Sequence, residues 1–439
     1  MADLVSTLTA LLGAESVVPQ DQIAAELGTS LTQVTVADRT LPQAVVYPTS
    51  EAQLAEVMAC AHQNQWRVLP CGSGSKLTWG GLAQGIDLVI STARLNQIID
   101  HAVGDMTLTA QAGVTLAELA PKLAAVNQFL ALDPAYPHRA TLGGMVATGD
   151  AGSLRQRYGG VRDMLIGLSL VRYDGQIAKA GGRVVKNVAG YDLMKLFTGS
   201  YGSLGVISQL TFRLFPVQET SKTLVISGNI AEIQALTAAV RRSSLTPVAL
   251  DLLSPALAAA LGSPEAFTLA ARFQSIAPGV EEQLTVLRQI IPAGLEIQEL
   301  AETEDQAFWG QANHHLFPPE TIVSATVKAK VGLLPTAACD LLAQLQKISP
   351  SPLTRLHASS GIGTVCLNAE TATPDLLQKL RSICTESQGY LVLLEASPDL
   401  KQACDVWGDV GPAIALMKAI KTQFDPEQKL SPGRFVGGL

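Results

Sequence analysis

Charge is scarce in this chain. Asp, Glu, Lys and Arg make up 16% of its 439 residues, against roughly 25% in an average soluble domain. Two explanations of the deficit stand side by side: a surface partly covered by a partner subunit, or an ordinary Ala- and Leu-rich globule. The formal net charge of −7 and the lack of clustered Lys and Arg leave no footprint for nucleic acid. No apolar run approaches the roughly 18 residues that suggest a membrane span, so no transmembrane segment is expected. The N-terminus carries Asp3 and no basic stretch, which argues against a secretory signal. The six cysteines, at 60, 71, 339, 366, 384 and 404, form no Cys-x-x-Cys pair. Buried free thiols in a cytoplasmic protein are expected, rather than disulfides or an iron–sulfur site.

The common nucleotide signatures are missing too. Gly74-Ser75-Lys76 does not complete a P-loop, and Gly72-Ser73-Gly74 lacks the third glycine of the Rossmann fingerprint. An ATPase and a nicotinamide-dinucleotide fold are both disfavoured.

What is present is a large apolar fraction, 47% of residues, and a length that suggests two or three domains. Residues 1–35 form an N-terminal segment, helical at both ends, with Leu4, Leu8, Leu11 and Leu12 on one face. Ala44 to Pro48 reads as a short strand, Ser50 as an N-cap, and Glu51 to Asn64 as a helix that buries Leu54, Val57, Met58 and Ala61. Trp66 to Pro70 is the next strand and runs into a Gly/Ser loop, 71–75. Further strands are expected at 88–90, at 106–110 and from Val206 to Phe215, with a helix from Leu116 to Asn127. After about 218 glycine becomes sparse and amphipathic helices alternate with strands. The chemistry-bearing domain is therefore expected at 36–217, a second α+β domain at 218–410, and a C-terminal segment at 411–439 with a helix from Ala413 to Phe424.

Three glycine clusters stand out, at 72–74, 143–152 and 181–205. Glycine lets backbone N–H groups approach a ligand closely, and successive N–H groups form anion-binding nests. Three such turns, each attached to a strand, suggest one long ligand with a diphosphate in its middle.

The strings that carry these clusters also carry a resemblance. Thr141-Leu-Gly-Gly-Met-Val-Ala147, Val161-Arg-Asp163, Lys186-Asn-Val-Ala-Gly-Tyr-Asp-Leu193 and Gly199-Ser-Tyr-Gly-Ser-Leu-Gly-Val206 are similar to the FAD-binding domain of the vanillyl-alcohol oxidase (PCMH-type) superfamily. Within it they most resemble the E-type subunits of bacterial glycolate oxidases, also called glycolate dehydrogenases. Phe424-Asp425-Pro426 and Pro432-Gly433-Arg434 fit as well. The resemblance is specific over about 40–216 and 413–434 and loose between. It implies an α+β fold with a two-subdomain PCMH-type FAD-binding region, a second α+β cap domain, and a tail that returns to the flavin domain.

By resemblance, Pro70, Cys71, Gly72, Ser73, Gly74, Ser75 and Lys76 form the first pyrophosphate loop. Pro134, Thr141, Gly143, Gly144, Thr148, Gly149 and Ser153 line the middle of the FAD, Val206 and Ile207 lie against it, and Arg434 comes from the returning tail. Some members of the superfamily attach FAD through a His in the first loop; that loop has no His here, so non-covalent FAD is expected. Lys186 and Arg162 are candidate cations for a reduced flavin. For hydroxy-acid oxidation, which needs a base and a cation for the carboxylate, His138, Arg139 and Arg155 are weak candidates, with a solvated turn after Pro137 as the alternative for the first two.

Related 2-hydroxy-acid dehydrogenases carry a metal-binding His-x-x-x-Gly-x-x-His string in the cap domain. Here it reads His357 to Thr364, with Thr364 in place of the second His and Ser360 in place of an acidic residue, so no metal is expected. His314 and His315 read as loop or surface residues. The resemblance thus implies an FAD subunit of a complex that oxidises glycolate to glyoxylate. Its partners would be a catalytic FAD subunit and an iron–sulfur subunit, its location cytoplasmic, with peripheral attachment to the inner face of the membrane through the complex. The alternatives are a self-sufficient FAD-dependent dehydrogenase for glycolate, D-lactate or another small 2-hydroxy acid, and a flavin-free assembly scaffold.

Overall fold

A computed structural model describes residues 3–23, 31–35, 41–183, 191–318 and 326–439. The chain divides into two compact units. The first comprises Met1–Ala151, Gly160–Pro216 and Asp405–Leu439, and the second Gly152–Gly159 and Val217–Cys404.

In the first unit, four strands lie in the order Val17–Pro19, Ala44–Val46, Leu88–Ser91 and Val68–Cys71. The last three are mutually parallel and the first is antiparallel to its neighbour. The sheet is buried on both faces, as parallel sheets are, and the strand period of two sorts the side chains. Ala44, Val46, Leu88 and Ile90 pack with Leu4, Leu8 and Leu12 of the helix Leu4–Leu12 and with Leu54, Val57, Met58 and Ala61 of the helix Glu51–Gln63. Val45, Val89 and Leu69 face the other way, against Ile23, Leu31, Val34 and Ile86. The helix Glu51–Gln63 begins where Ser50 Oγ accepts the Gln53 N–H at 3.1 Å.

The strands that flank this helix are not neighbours; Leu88–Ser91 lies between them. All four of its residues are buried, which suits an interior position, while Val68–Cys71 takes the edge. That edge does not stay open: Val68 donates to Lys429 O and accepts from the Ser431 N–H, both at 2.8 Å, so the returning tail covers it.

The second sheet of this unit has five antiparallel strands in the order Ile98–Ala102, Thr107–Gln111, Val206–Arg213, Leu165–Val171 and Ile177–Gly181. Glu51 ties the helix Glu51–Gln63 to it, accepting Ser169 Oγ at 2.5 Å and Ser208 Oγ at 2.6 Å.

The tail is anchored from within. Lys421, on the helix Ala413–Phe424, is 2% exposed. Its ammonium donates to Ser203 O and Leu430 O at 2.8 Å and to Asp425 Oδ2 at 2.6 Å. Asp425, fully buried, also accepts the N–H groups of Lys429 at 3.0 Å and Leu430 at 2.8 Å.

The second unit is an eight-stranded antiparallel sheet in the order Glu296–Ala301, Thr220–Gly228, Phe267–Ser275, Ala249–Leu253, Leu353–His357, Ile362–Asn368, Thr326–Gly332 and Tyr390–Glu395. Helices such as Ile230–Arg242 and Ala277–Ile290 bury a stripe against it, for example Ile233, Leu236 and Val240 of the former. Among the described residues no helix is long and apolar enough to cross a membrane.

Removing the carboxylate at 425 strands a buried ammonium. Asp425→Ala is expected to lower stability by about 3–5 kcal/mol, read as a shift in the urea midpoint, whereas Lys418→Ala on the exposed side of the same helix leaves the midpoint near wild type.

Candidate cofactor site

The first unit contains a cleft that opens to solvent. It lies beyond the carboxyl end of Val68–Cys71, where open parallel sheets bind ligands. Pro70 to Lys76 form one wall; Thr141, Gly143, Gly144, Ala147 and Thr148 form a second; Tyr201, Gly202, Gly205, Val206 and Ile207 form a third; and Arg434 reaches in from the tail.

The first two walls meet at glycine. A Cβ on Gly72 would stand 2.2 Å from Thr141 Oγ1, which no side chain permits. Thr141 is fixed there because it caps the helix Leu142–Thr148, its hydroxyl accepting the Gly144 N–H at 3.2 Å. The neighbouring turn is cross-braced: Ser73 Oγ donates to Arg139 O at 2.5 Å and Arg139 Nη2 donates to Ser73 O at 2.9 Å. Gly74 has φ +76, the left-handed region that glycine occupies without strain.

Among the described residues, Lys76 and Arg434 are the cations in the lining of the cleft. Arg434 is 4% exposed, and its guanidinium donates to Gly81 O and Leu77 O at 2.6 Å and to Trp79 O. Burial lowers its pKa to about 10, an effect that the nearby Tyr201 opposes, so it is charged at neutral pH. Lys76 forms a buried ion pair with Asp150 Oδ2 at 2.7 Å, and the same oxygen accepts the Ala135 N–H at 2.9 Å. Burial also pushes the Tyr201 hydroxyl and the Cys71 thiol up, the latter to about 12 despite a hydrogen bond with Ser91.

The structure therefore brings together Pro70, Cys71, Gly72, Ser73, Gly74, Ser75, Lys76, Thr141, Gly143, Gly144, Thr148, Val206, Ile207 and Arg434. Three residues of the expected set are placed elsewhere. Pro134 is buried outside the cleft lining, and Gly149 is the left-handed cap, φ +61, that ends the helix Leu142–Thr148. Ser153 lies in the second unit, its hydroxyl donating to Asp251 Oδ2. Lys186 lies outside the described residues. Arg162 is exposed, and Arg155 lies in the second unit. His138 is exposed in a turn, and Arg139 braces the Ser73 turn as described. Tyr201 and Gly202 were missed as individual residues, although the Gly-Ser-Tyr-Gly-Ser string pointed to their turn. Gly202 packs there at φ +72, where a Cβ would stand 3.0 Å from Pro70.

The second unit holds a separate buried polar group. His357 Nδ1 and Asp251 Oδ1 are 2.7 Å apart, Arg355 Nε lies 3.9 Å from Asp251 Oδ2, and Ser153 completes the set. Burial alone would raise the Asp251 pKa; His357, Arg355 and Ser153 outweigh it and hold the carboxyl below its ordinary value. His314 and His315 are on the helix Glu302–Leu316, exposed and half-buried, with ring centroids 6.1 Å apart.

Two outcomes follow from this geometry. Gly72→Val drives a branched side chain into Thr141, with overpacking strain of about 1–3 kcal/mol. The purified variant is expected to keep its far-UV circular dichroism and to take up FAD sub-stoichiometrically in a spectrophotometric titration. The depressed Asp251 pKa contributes stability that is fully present above the ordinary value of 3.8 and is lost as pH falls through the lower folded value. Wild type and Asp251→Asn should therefore differ in denaturant midpoint at neutral pH and converge as the pH drops below that range.

The FAD binding domain family matches residues 42–181, the stretch that carries the first two walls of the cleft. Glycolate oxidase subunit GlcD of Bacillus subtilis (strain 168) is 26% identical over 428 residues, covering 90% of this chain and 89% of that protein. Glycolate oxidase subunit GlcE of Escherichia coli (strain K12) is 37% identical over 154 residues, 35% of this chain and 43% of that protein. Among solved structures, p-cresol methylhydroxylase with substrate bound superposes with a TM-score of 0.77 at 15% identity, covering 98% of this chain and 95% of that one. Two of the three walls of the cleft thus lie in a stretch that matches an FAD binding domain, and the α+β fold is similar to that of p-cresol methylhydroxylase.

Proposed function

We propose that this chain is the FAD-carrying E-type subunit of a glycolate-oxidising assembly that converts glycolate to glyoxylate. It would work beside a catalytic flavin subunit and an iron–sulfur subunit. The observation that carries this reading is a contrast between the two units. In the first, three glycine-bearing walls and two buried cations converge on one cleft. In the second, His357 has its Nδ1 engaged by Asp251, and Ser360 and Thr364 occupy the places where related dehydrogenases carry metal ligands. The 37% identity to GlcE supports the same reading.

Bound FAD supplies a two-electron acceptor. The chain's own part is to hold it. The 70–76 turn would present backbone N–H groups to the diphosphate, Arg434 would add positive charge, and Val206 and Ile207 would offer an apolar wall. FAD is held without a covalent bond in this proposal. The first loop has no His, and the Cys71 thiol, at about 12, stays protonated and a poor nucleophile. A cytoplasmic location, with the assembly peripheral to the inner face of the membrane, belongs to the same proposal.

A second reading, a self-sufficient dehydrogenase for glycolate or D-lactate, is favoured by the alignment to GlcD, which spans 428 residues and so runs through both units. The two part in one experiment. Purified chain, anaerobic and without partners, is mixed with glycolate or D-lactate, and its flavin absorbance is followed. An unbleached flavin that bleaches only when the partner subunits are added supports the subunit; bleaching by the chain alone overturns it in favour of the dehydrogenase. A chain that carries no flavin and takes up none is a scaffold. Acid precipitation is expected to leave all the yellow colour in the supernatant; flavin that stays with the pellet overturns the non-covalent assignment.

A further inference from the structure

We propose that Lys76 sets the electron affinity of the bound flavin, with Asp150 as its counterion and positioning residue. The inference rests on the reading that FAD occupies the cleft of the first unit.

Of the residues lining the cleft, Lys76 and Arg434 carry positive charge. Arg434 is engaged by three backbone carbonyls and serves to hold the tail. Lys76 is different. Its ammonium has three N–H groups and one close acidic neighbour, Asp150, at 2.7 Å. That carboxylate oxygen is shared with the Ala135 N–H. Among the described residues the Nζ atom has no hydrogen-bond acceptor of good geometry, and the side chain is 5% exposed. A buried ammonium with donors to spare, on the wall of a cleft, is suited to a ligand that gains negative charge.

Its place along the cleft favours the ring over the diphosphate. The glycine turn 72–74 precedes it, Leu77 follows it in the lining, and Tyr201 lines another wall of the same cleft. Nζ lies 5.6 Å from the centroid of the Trp79 ring. Tyr201 is close enough to both Arg434 and Asp150 for their charges to act on its hydroxyl, and it packs edge-on to Trp407 at 4.8 Å. A planar ring suits that end, and a diphosphate suits the backbone amides of the turn. Uptake of two electrons and one proton by a neutral flavin leaves one added negative charge on it. The Lys76 ammonium, on a side chain 5% exposed, would stabilise that charge. Asp150 offsets part of the ammonium's charge, so the pair gives a graded effect rather than a full unit of charge.

The test uses the full chain loaded with FAD, in wild type and in Lys76→Met, Lys76→Arg and Asp150→Asn. Flavin content, midpoint potential by dye equilibration, and affinity for sulfite, which adds to electron-poor flavins, are read for each; affinity for ADP is measured on the FAD-free chains. Lys76→Met is expected to retain FAD, to show a lower potential, and to bind sulfite at least about tenfold more weakly, a change of about 1.4 kcal/mol. Lys76→Arg stays near wild type, and Asp150→Asn shifts potential and sulfite affinity upward. Lys76→Met with FAD bound and both readouts unchanged overturns the proposal. So does a loss of ADP affinity equal to the loss of FAD affinity, which would assign the ammonium to the diphosphate. Should Lys76→Met fail to fold, Asp150→Asn decides: an unchanged potential overturns the proposal. A wild-type chain that takes up no FAD fails the functional reading itself, a result distinct from any of these.

Discussion

The cleft of the first unit depends on backbone carbonyls that converge on buried cations of the tail. Arg434 gathers the carbonyls of Leu77, Trp79 and Gly81, and Lys421 gathers those of Ser203 and Leu430. A carbonyl buried without a partner costs free energy, and so does a cation taken out of water. Each satisfies the other here, and the result is directional. The loop after the first glycine turn, the turn that carries Tyr201, and the tail are held against one another by groups that tolerate little displacement.

That arrangement explains why glycine is needed where the walls touch. Gly81 accommodates Gly433 O, 2.4 Å from where a Cβ would be, as Gly72 accommodates Thr141. These contacts bring segments more than 60 residues apart to within a few ångströms, so the cleft is shaped mainly by main chain. Side chains then add charge at chosen points, with Lys76 paired to Asp150 and Arg434 held by backbone carbonyls. The second unit treats charge differently. Two of its buried ion pairs, Arg272 with Asp305 and Lys328 with Glu395, are closed within the sheet and its helices.

Much of this was legible in the sequence, for identifiable reasons. The helix Glu51–Gln63 buries the four residues its period selects, because a 3.6-residue stripe against a sheet leaves no other choice. The glycine turns announced the cleft because few other residues permit such close approach. Strand order was not legible: the position of Leu88–Ser91 between the two strands around that helix depends on burial of both faces, which local pattern does not encode. Nor was the Lys76–Asp150 pair, since nothing in the long stretch between them signals the contact. Ser153 illustrates the limit in the other direction. It follows a glycine cluster in sequence, yet its hydroxyl belongs to Asp251 in the second unit. Asn313 was likewise invisible as a neighbour of Arg355, because only tertiary packing brings that helix to that strand.

The order of segments along the chain has a consequence for biosynthesis. Lys421 and Arg434 are translated after the whole of Val217–Cys404, although they complete a unit whose other parts lie before residue 217. Chains fold as they leave the ribosome, N-terminal parts first. The glycine turns must therefore wait, with the edge of Val68–Cys71 uncovered, while an entire eight-stranded sheet is made. A nascent chain stalled anywhere in that interval would display an unpaired strand edge and a half-built cleft, a natural target for chaperones.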